Sequence, residues 1–214
     1  MIQDQSRAGY FGGSDAAKVV SANRKTDSWK KWWDEKLGGK KTFYGNAYTI
    51  AGNVYEHSIL TAIDKSINFD RQIIIDTPRM LLRVNYDGNL DNAIYEIKTH
   101  KNDKTFEITN NYWMQAQVEM FAWKYAHEHN RTDSEFVPVQ KLEEFYIVSY
   151  ALDPEEVSQA QNVDEEEAYA GRLPIHEDRL IYHKVKYDKS WIKGEYLPAL
   201  KELSKALRKG KYPA

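Results

Sequence analysis

The chain has 214 residues, 30 Lys+Arg against 32 Asp+Glu for a formal net charge of −2, and no cysteine. Hydrophobic residues at 42% and charged residues at 29% describe a globular chain able to bury a core, not a disordered or fibrous one. The missing cysteines exclude disulfides, a thiol nucleophile, thiolate-held iron–sulfur clusters and Cys-ligated zinc.

No repeat or Pro/Gly/Ser linker divides the sequence, so one domain is expected over 1–214. Gly12-Gly13 followed by Ser14-Asp15 predicts a turn feeding a helix to about Ala22, with Ser14 as its N-cap. Thr26 or Asp27 can cap a second helix carrying Trp29, Trp32, Trp33 and Leu37, stopped at Gly38-Gly39. Those tryptophans interleave with Lys30, Lys31 and Lys36, which could stack frayed bases, but packing into the core is the favoured reading. A third helix is expected over about 46–64.

The period then changes. Phe69–Ile75, Met80–Tyr86 and Ala93–Thr99 are short and β-branched or aromatic, with turn chemistry at Asp76-Thr77-Pro78 and Asp87-Gly88-Asn89. They predict an antiparallel meander. A long helix over about 109–129, a strand at Glu144–Leu152, an acidic helix near 154–170, a strand at Arg179–Tyr187 and a helix over about 189–209 complete the chain. The order implies an α/β (mixed α+β) fold, a central mixed sheet flanked by helices. No stretch approaches 18 apolar residues, and MIQDQSRAGYF lacks a basic leader with an apolar run, so no membrane span or signal peptide is expected and the location is read as cytoplasmic.

The small net charge hides a partition. Residues 1–50 carry +4, 51–152 carry −5, 153–178 carry −8 and 179–214 carry +7. Basic ends could meet a polyanion while the acidic middle holds cations, although such blocks are commonly solvated faces.

The chemistry concentrates between Asn85 and Thr99. Glu96 and Lys98 are two apart on a strand and share a face, with Ile97 turned into the core. Asp87, at the end of the preceding strand across a turn, can reach Glu96. Two carboxylates and a lysine make a hard, oxygen-rich site suited to Mg²⁺ or Mn²⁺, able to polarise a phosphoryl oxygen and generate hydroxide. A hairpin with a surface Glu–Lys pair is the plain alternative. Asp91, in the expected loop, competes with Asp87 for the metal role, and the six histidines are read as non-catalytic.

Asp87…Glu96-Ile97-Lys98 resembles the PD-(D/E)xK signature of the restriction-endonuclease-like nucleases, with Tyr86 replacing the usual proline. Three further blocks resemble the phage lambda-type exonucleases, the YqaJ-like viral recombinase family. These are Arg7 to Asp15, the Gly52-Asn53-Val54-Tyr55-Glu56 helix motif and Tyr112-Trp113-Met114-Gln115. The resemblance implies a restriction-endonuclease-like core. It further implies that Asp87, Glu96, Glu56 and the Ile97 carbonyl bind Mg²⁺, with Lys98 and Gln115 placing the attacking water. Arg7 and Ser14 would hold the 5′-phosphate of a DNA end. The implied activity is 5′-to-3′ exonuclease action on linear duplex DNA, leaving 3′ overhangs for single-strand annealing in phage recombination. A trimeric ring and a phage single-strand annealing protein as partner come with it. A restriction- or repair-type endonuclease of the same superfamily, or a non-catalytic DNA-binding phage protein, are the alternatives.

Overall fold

The structure, a computed structural model, describes residues 8–39 and 45–213. A tight turn at Gly13–Asp15 leads into the short helix α1 (Ala16–Val19), and α2 (Asp27–Lys36) and α3 (Ala47–Ile63) follow. Strands β1 (Asn68–Thr77), β2 (Met80–Leu90) and β3 (Ala93–Lys101) form the expected meander. Helix α4 (Asn110–Glu128) crosses to β4 (Glu144–Leu152). Short helices α5 (Pro154–Ala160) and α6 (Glu165–Tyr169) precede β5 (Leu180–Lys184). The chain ends in α7 (Lys189–Trp191), a π-helical turn (Ile192–Tyr196) and α8 (Leu197–Arg208).

The sheet order is β1-β2-β3-β4-β5, antiparallel except for the parallel β3–β4 pair that α4 connects. Alternation on β4 separates two cores. Phe145 and Ile147 pack with α1, α2, α4 and α8, whereas Val148, Tyr150 and Leu152 pack with α3, α5 and α6. The mixed α/β expectation holds.

Several boundaries differ from the sequence reading, each for a local reason. The first helix stops at Val19 and does not reach Ala22. Ser14 is not an N-cap: Asp15 reaches back, its Oδ2 accepting from Gly12 N at 2.7 Å. The same carboxylate takes Trp32 Nε1 at 2.7 Å and Lys36 Nζ at 2.5 Å, a buried ion pair tying α2 to the Gly12–Ser14 turn. Thr26 caps α2 as expected, accepting from Trp29 N. Trp29, Trp32 and Trp33 are buried, Trp29 and Trp33 stacked at 5.4 Å, so they are core and not a base platform.

Asp87-Gly88-Asn89 is not a turn but the interior of β2; the hairpin turns at Asp91-Asn92, with Asp91 at φ 50°. Gly88 serves packing instead. A Cβ there would lie 2.6 Å from Leu60 Cδ2 and 2.8 Å from Ile67 Cγ2. The acidic helix is two short ones, because Asp164 starts a new cap on Glu167 N. Much of the acidic block is helix-start chemistry: Asp153 caps α5 in a box with Glu156, and Glu155, Glu165, Glu166 and Glu167 fill first turns. Glu156 is buried, accepting from Tyr150 OH at 2.6 Å, and Arg179 bridges it to Asp153.

Candidate active site

Where β2 and β3 part, the fold opens a cleft. Their backbone pairing covers only Gly88↔Tyr95, Asn89↔Ile94 and Leu90↔Ala93. Next along β2, Asp87 takes over with its side chain, Oδ2 accepting from Ile97 N at 2.8 Å. Asp87 therefore meets Glu96 although it lies inside a strand and not at a turn. Tyr86 turns the other way, packing edge-on to Trp123 and donating from its hydroxyl to the Glu119 carbonyl at 2.9 Å. Period-two alternation thus leaves Arg83, Asn85 and Asp87 along the cleft side of β2, where all three line one cavity.

That cavity, about 550 Å³, also takes in Glu56, Glu96, Ile97, Lys98, Gln115 and Ser14. Every site residue expected from the sequence is brought together there except Arg7, which lies outside the described residues. Asp91 is exposed on the hairpin turn and does not line the cavity, and no histidine does. Helix α3 delivers Glu56 because Gly52, one turn earlier, lets the helix approach β3: a Cβ on Gly52 would stand 2.5 Å from Thr99 Oγ1. Parallel pairing of β3 with β4 fixes Glu96 and Lys98 on the opposite sheet face from buried Ile97.

Lys98 Nζ donates to Glu96 Oε1 at 2.6 Å and lies 5.2 Å from the Tyr112 ring centre. Gln115, on α4, donates from Nε2 to the same Glu96 oxygen at 2.5 Å and to Glu119 Oε1 at 2.8 Å. Glu119 was not singled out as a site residue by its sequence. Its signal was available, a carboxylate four residues after Gln115 and so on the same helix face. Gly13 closes over it, since a Cβ there would sit 2.5 Å from Glu119 Oε1.

Four acids thus share a cleft with Lys98. Burial, then Glu56 and Glu96, push the Asp87 carboxyl well above its ordinary range, although Lys98 and the Ile97 N–H pull it down. Burial and the Glu96 charge raise Glu119 well above its usual value, and they raise Glu56 to about 7. Burial opposes the Lys98 charge, yet Glu96 and Asp87 hold its pKa above the ordinary lysine value. Ionised together, four carboxyls would exceed the charge that one lysine balances, and the acids offer only oxygen ligands. Such a set fits a hard divalent cation.

A second acidic group adjoins it. The ligand atoms of Glu56, His57 and Asp70 lie within 4.8 Å of one another. Both His57 ring nitrogens are engaged, Nδ1 with the Tyr169 carbonyl at 3.1 Å and Nε2 with Asp70 at 3.1 Å. The ring also stacks on Phe69 at 4.5 Å. These contacts explain His57 as a pin between α3, β1 and α6.

Among known proteins, the model of the YqaJ-like viral recombinase domain matches residues 4–136. No curated protein matches in sequence. The fold is similar to that of an alkaline exonuclease (LHK-Exo) from Laribacter hongkongensis, at 17% identity and TM-score 0.55 over 95% of this chain and 92% of that one. A structure of LHK-Exo in complex with dAMP aligns with the same coverage at 19% identity and TM-score 0.55. A phage-related exonuclease from Haemophilus somnus 129PT aligns at 13% identity and TM-score 0.55, over 94% of this chain and 95% of that one. Among the described residues, no helix is long and apolar enough to cross a membrane.

Proposed function

The chain belongs to the YqaJ-like viral recombinase family, and from that membership we propose that it is a Mg²⁺-dependent DNA exonuclease. It would digest linear duplex DNA from 5′ to 3′ and leave 3′ single strands for annealing-based phage recombination. The observation that carries this reading is the convergence of Asp87, Glu96 and Glu56 with Lys98 in one cavity where β2 and β3 separate.

Asp87, Glu96, Glu56 and the Ile97 carbonyl would hold Mg²⁺, with Mn²⁺ a workable substitute. Bound there, the ion supplies Lewis-acid polarisation of the scissile phosphate and a water of lowered pKa. Lys98, fixed by its bond to Glu96, neutralises charge developing on the phosphoryl oxygens. Arg83 and Asn85, two and one alternations from Asp87 along β2, offer donors to the DNA backbone on the way into the cavity. Ser14 would bind the 5′-terminal phosphate together with Arg7. The bound dAMP of LHK-Exo is a mononucleotide, the class of product proposed here.

A homotrimeric ring around DNA, a phage single-strand annealing protein as partner, and action in the cytoplasm of the bacterial host complete the reading, all through the family resemblance. The test compares linear and covalently closed circular duplex with Mg²⁺, for wild type and Glu96→Ala. Mononucleotide release from the linear form alone, lost in the variant, is expected. Rapid loss of the closed circle would instead establish an endonuclease, and equal activity of the variant would remove Glu96 from the chemistry.

A further inference from the structure

Gln115 presents a side-chain amide with two N–H donors and one oxygen. Both donors are spent within the protein, on Glu96 Oε1 and Glu119 Oε1. The Glu96 oxygen fixes which end of the amide is which, because it already accepts from Lys98 Nζ and a carbonyl oxygen turned toward it would meet a second acceptor. The Gln115 oxygen is then the part of the amide left to the cavity that Gln115 lines.

We propose that Glu119 is a positioning residue: it holds the Gln115 amide with its nitrogen turned inward, so that the amide oxygen accepts a hydrogen bond from the attacking water. Glu96 alone could anchor one N–H and leave the amide free to pivot about that bond; Glu119 supplies the second point. Glu119 is itself well placed for the task. It is 1% exposed, its Oε2 has no hydrogen-bond partner among the described residues, and Gly13 packs against Oε1 where any side chain would collide. Tyr86 OH anchors the helix backbone at the same residue, bonding to the Glu119 carbonyl at 2.9 Å. The group is held from three sides, and among the described residues its side chain accepts from Gln115 and lies against the Glu96 carboxyl. The inference rests on the hydrolytic reading of the site and assigns Glu119 neither to the metal nor to the DNA.

The test uses Glu119→Ala, Glu119→Gln, Gln115→Ala and the Glu119→Ala/Gln115→Ala double variant of the full chain. Mononucleotide release from linear duplex, Mg²⁺ affinity and the ¹⁵N side-chain amide spectrum are measured for each. In Glu119→Ala, kcat falls roughly 10- to 100-fold, the worth of a hydrogen bond to a charged group, while KM for DNA and Mg²⁺ affinity stay within about twofold. The double variant is no slower than Gln115→Ala, because both changes remove one function. Glu119→Gln recovers most of the rate, its amide oxygen accepting in place of the carboxylate. In wild type the two Gln115 N–H signals exchange slowly with solvent, and in Glu119→Ala one of them exchanges fast. Additive losses in the double variant, or a Glu119→Gln variant as slow as Glu119→Ala with weakened Mg²⁺ binding, would overturn the proposal; the latter would make Glu119 a ligand. Fast exchange of both Gln115 protons in wild type overturns it whatever the alanine variant does. A wild type without nuclease activity would refute the hydrolytic reading instead, and the amide spectrum would still judge the positioning of Gln115.

Discussion

Glu56→Gln should stabilise the metal-free protein at alkaline pH. Glu56 is pushed from 4.5 to about 7 by burial first and the Glu96 charge second, partly opposed by His57 and Lys98. A carboxyl whose folded pKa exceeds its unfolded one costs nothing below the unfolded value. The cost grows as pH rises through the window from 4.5 to about 7 and is complete above it. At about 1.4 kcal/mol per pKa unit, that rise corresponds to about 3 kcal/mol of folded-state stability forgone at pH 8. For a chain of this size each kcal/mol moves Tm by about 2–4 °C, so Glu56→Gln should melt about 6–12 °C higher than wild type at pH 8. At pH 5 the gap should largely vanish. Saturating Mg²⁺ should raise wild type more than the variant and narrow the pH 8 difference. Calorimetric melts of both proteins at the two pH values, with EDTA or Mg²⁺, measure all of this. A Glu56→Gln protein no more stable than wild type at pH 8 would show that Glu56 carries no charge strain, and the crowded-carboxylate picture would fail.

Other consequences can be checked directly. Lys98→Ala should abolish Mg²⁺-dependent nucleotide release while gel-shift binding of linear duplex persists; retained release would exclude Lys98 from the chemistry. Gly13→Ala must displace Glu119, since its Cβ meets Oε1 at 2.5 Å, and should cost about 1–3 kcal/mol in urea melts together with a loss of kcat. Lys36→Met leaves buried Asp15 without its cation and should cost about 3 kcal/mol, part of which returns when Asp15→Asn is added; an unchanged melt would show the pair to be inert.

The strands and long helices were legible because their hydrophobic periods are long and their caps conventional: Thr26 on α2, Asn46 on α3 and Thr109 on α4 all accept from backbone N–H groups as their residue types suggest. Errors fell where local chemistry had two uses. Asp-Gly-Asn reads as a turn in isolation, but the Gly88 position answers to Leu60 and Ile67, side chains 28 and 21 residues upstream whose proximity no local pattern contains. Tertiary packing overrode turn propensity there, and it carried Asp87 into the strand interior without separating it from Glu96. Ser14 looked like a cap by type, whereas Asp15 won because Trp32 and Lys36 on α2 also engage its carboxylate. The 153–178 block read only as charge. Folded, much of that charge sits at helix starts, and Glu156 is drawn inward by Tyr150 and Arg179. Glu119 stayed hidden for a different reason. Its partner Gln115 is four residues away and visible, but the Gly13 backbone that closes over it comes from more than a hundred residues earlier.

The polarity of digestion tests the central claim most directly. Linear duplex labelled on either the 5′ or the 3′ end is incubated with the protein in Mg²⁺ and, separately, in EDTA. The account predicts that the 5′ label appears at once as mononucleotide, that the 3′ label stays on long single strands until late, and that EDTA stops both. Early release of the 3′ label, or digestion that proceeds unchanged in EDTA, would contradict it.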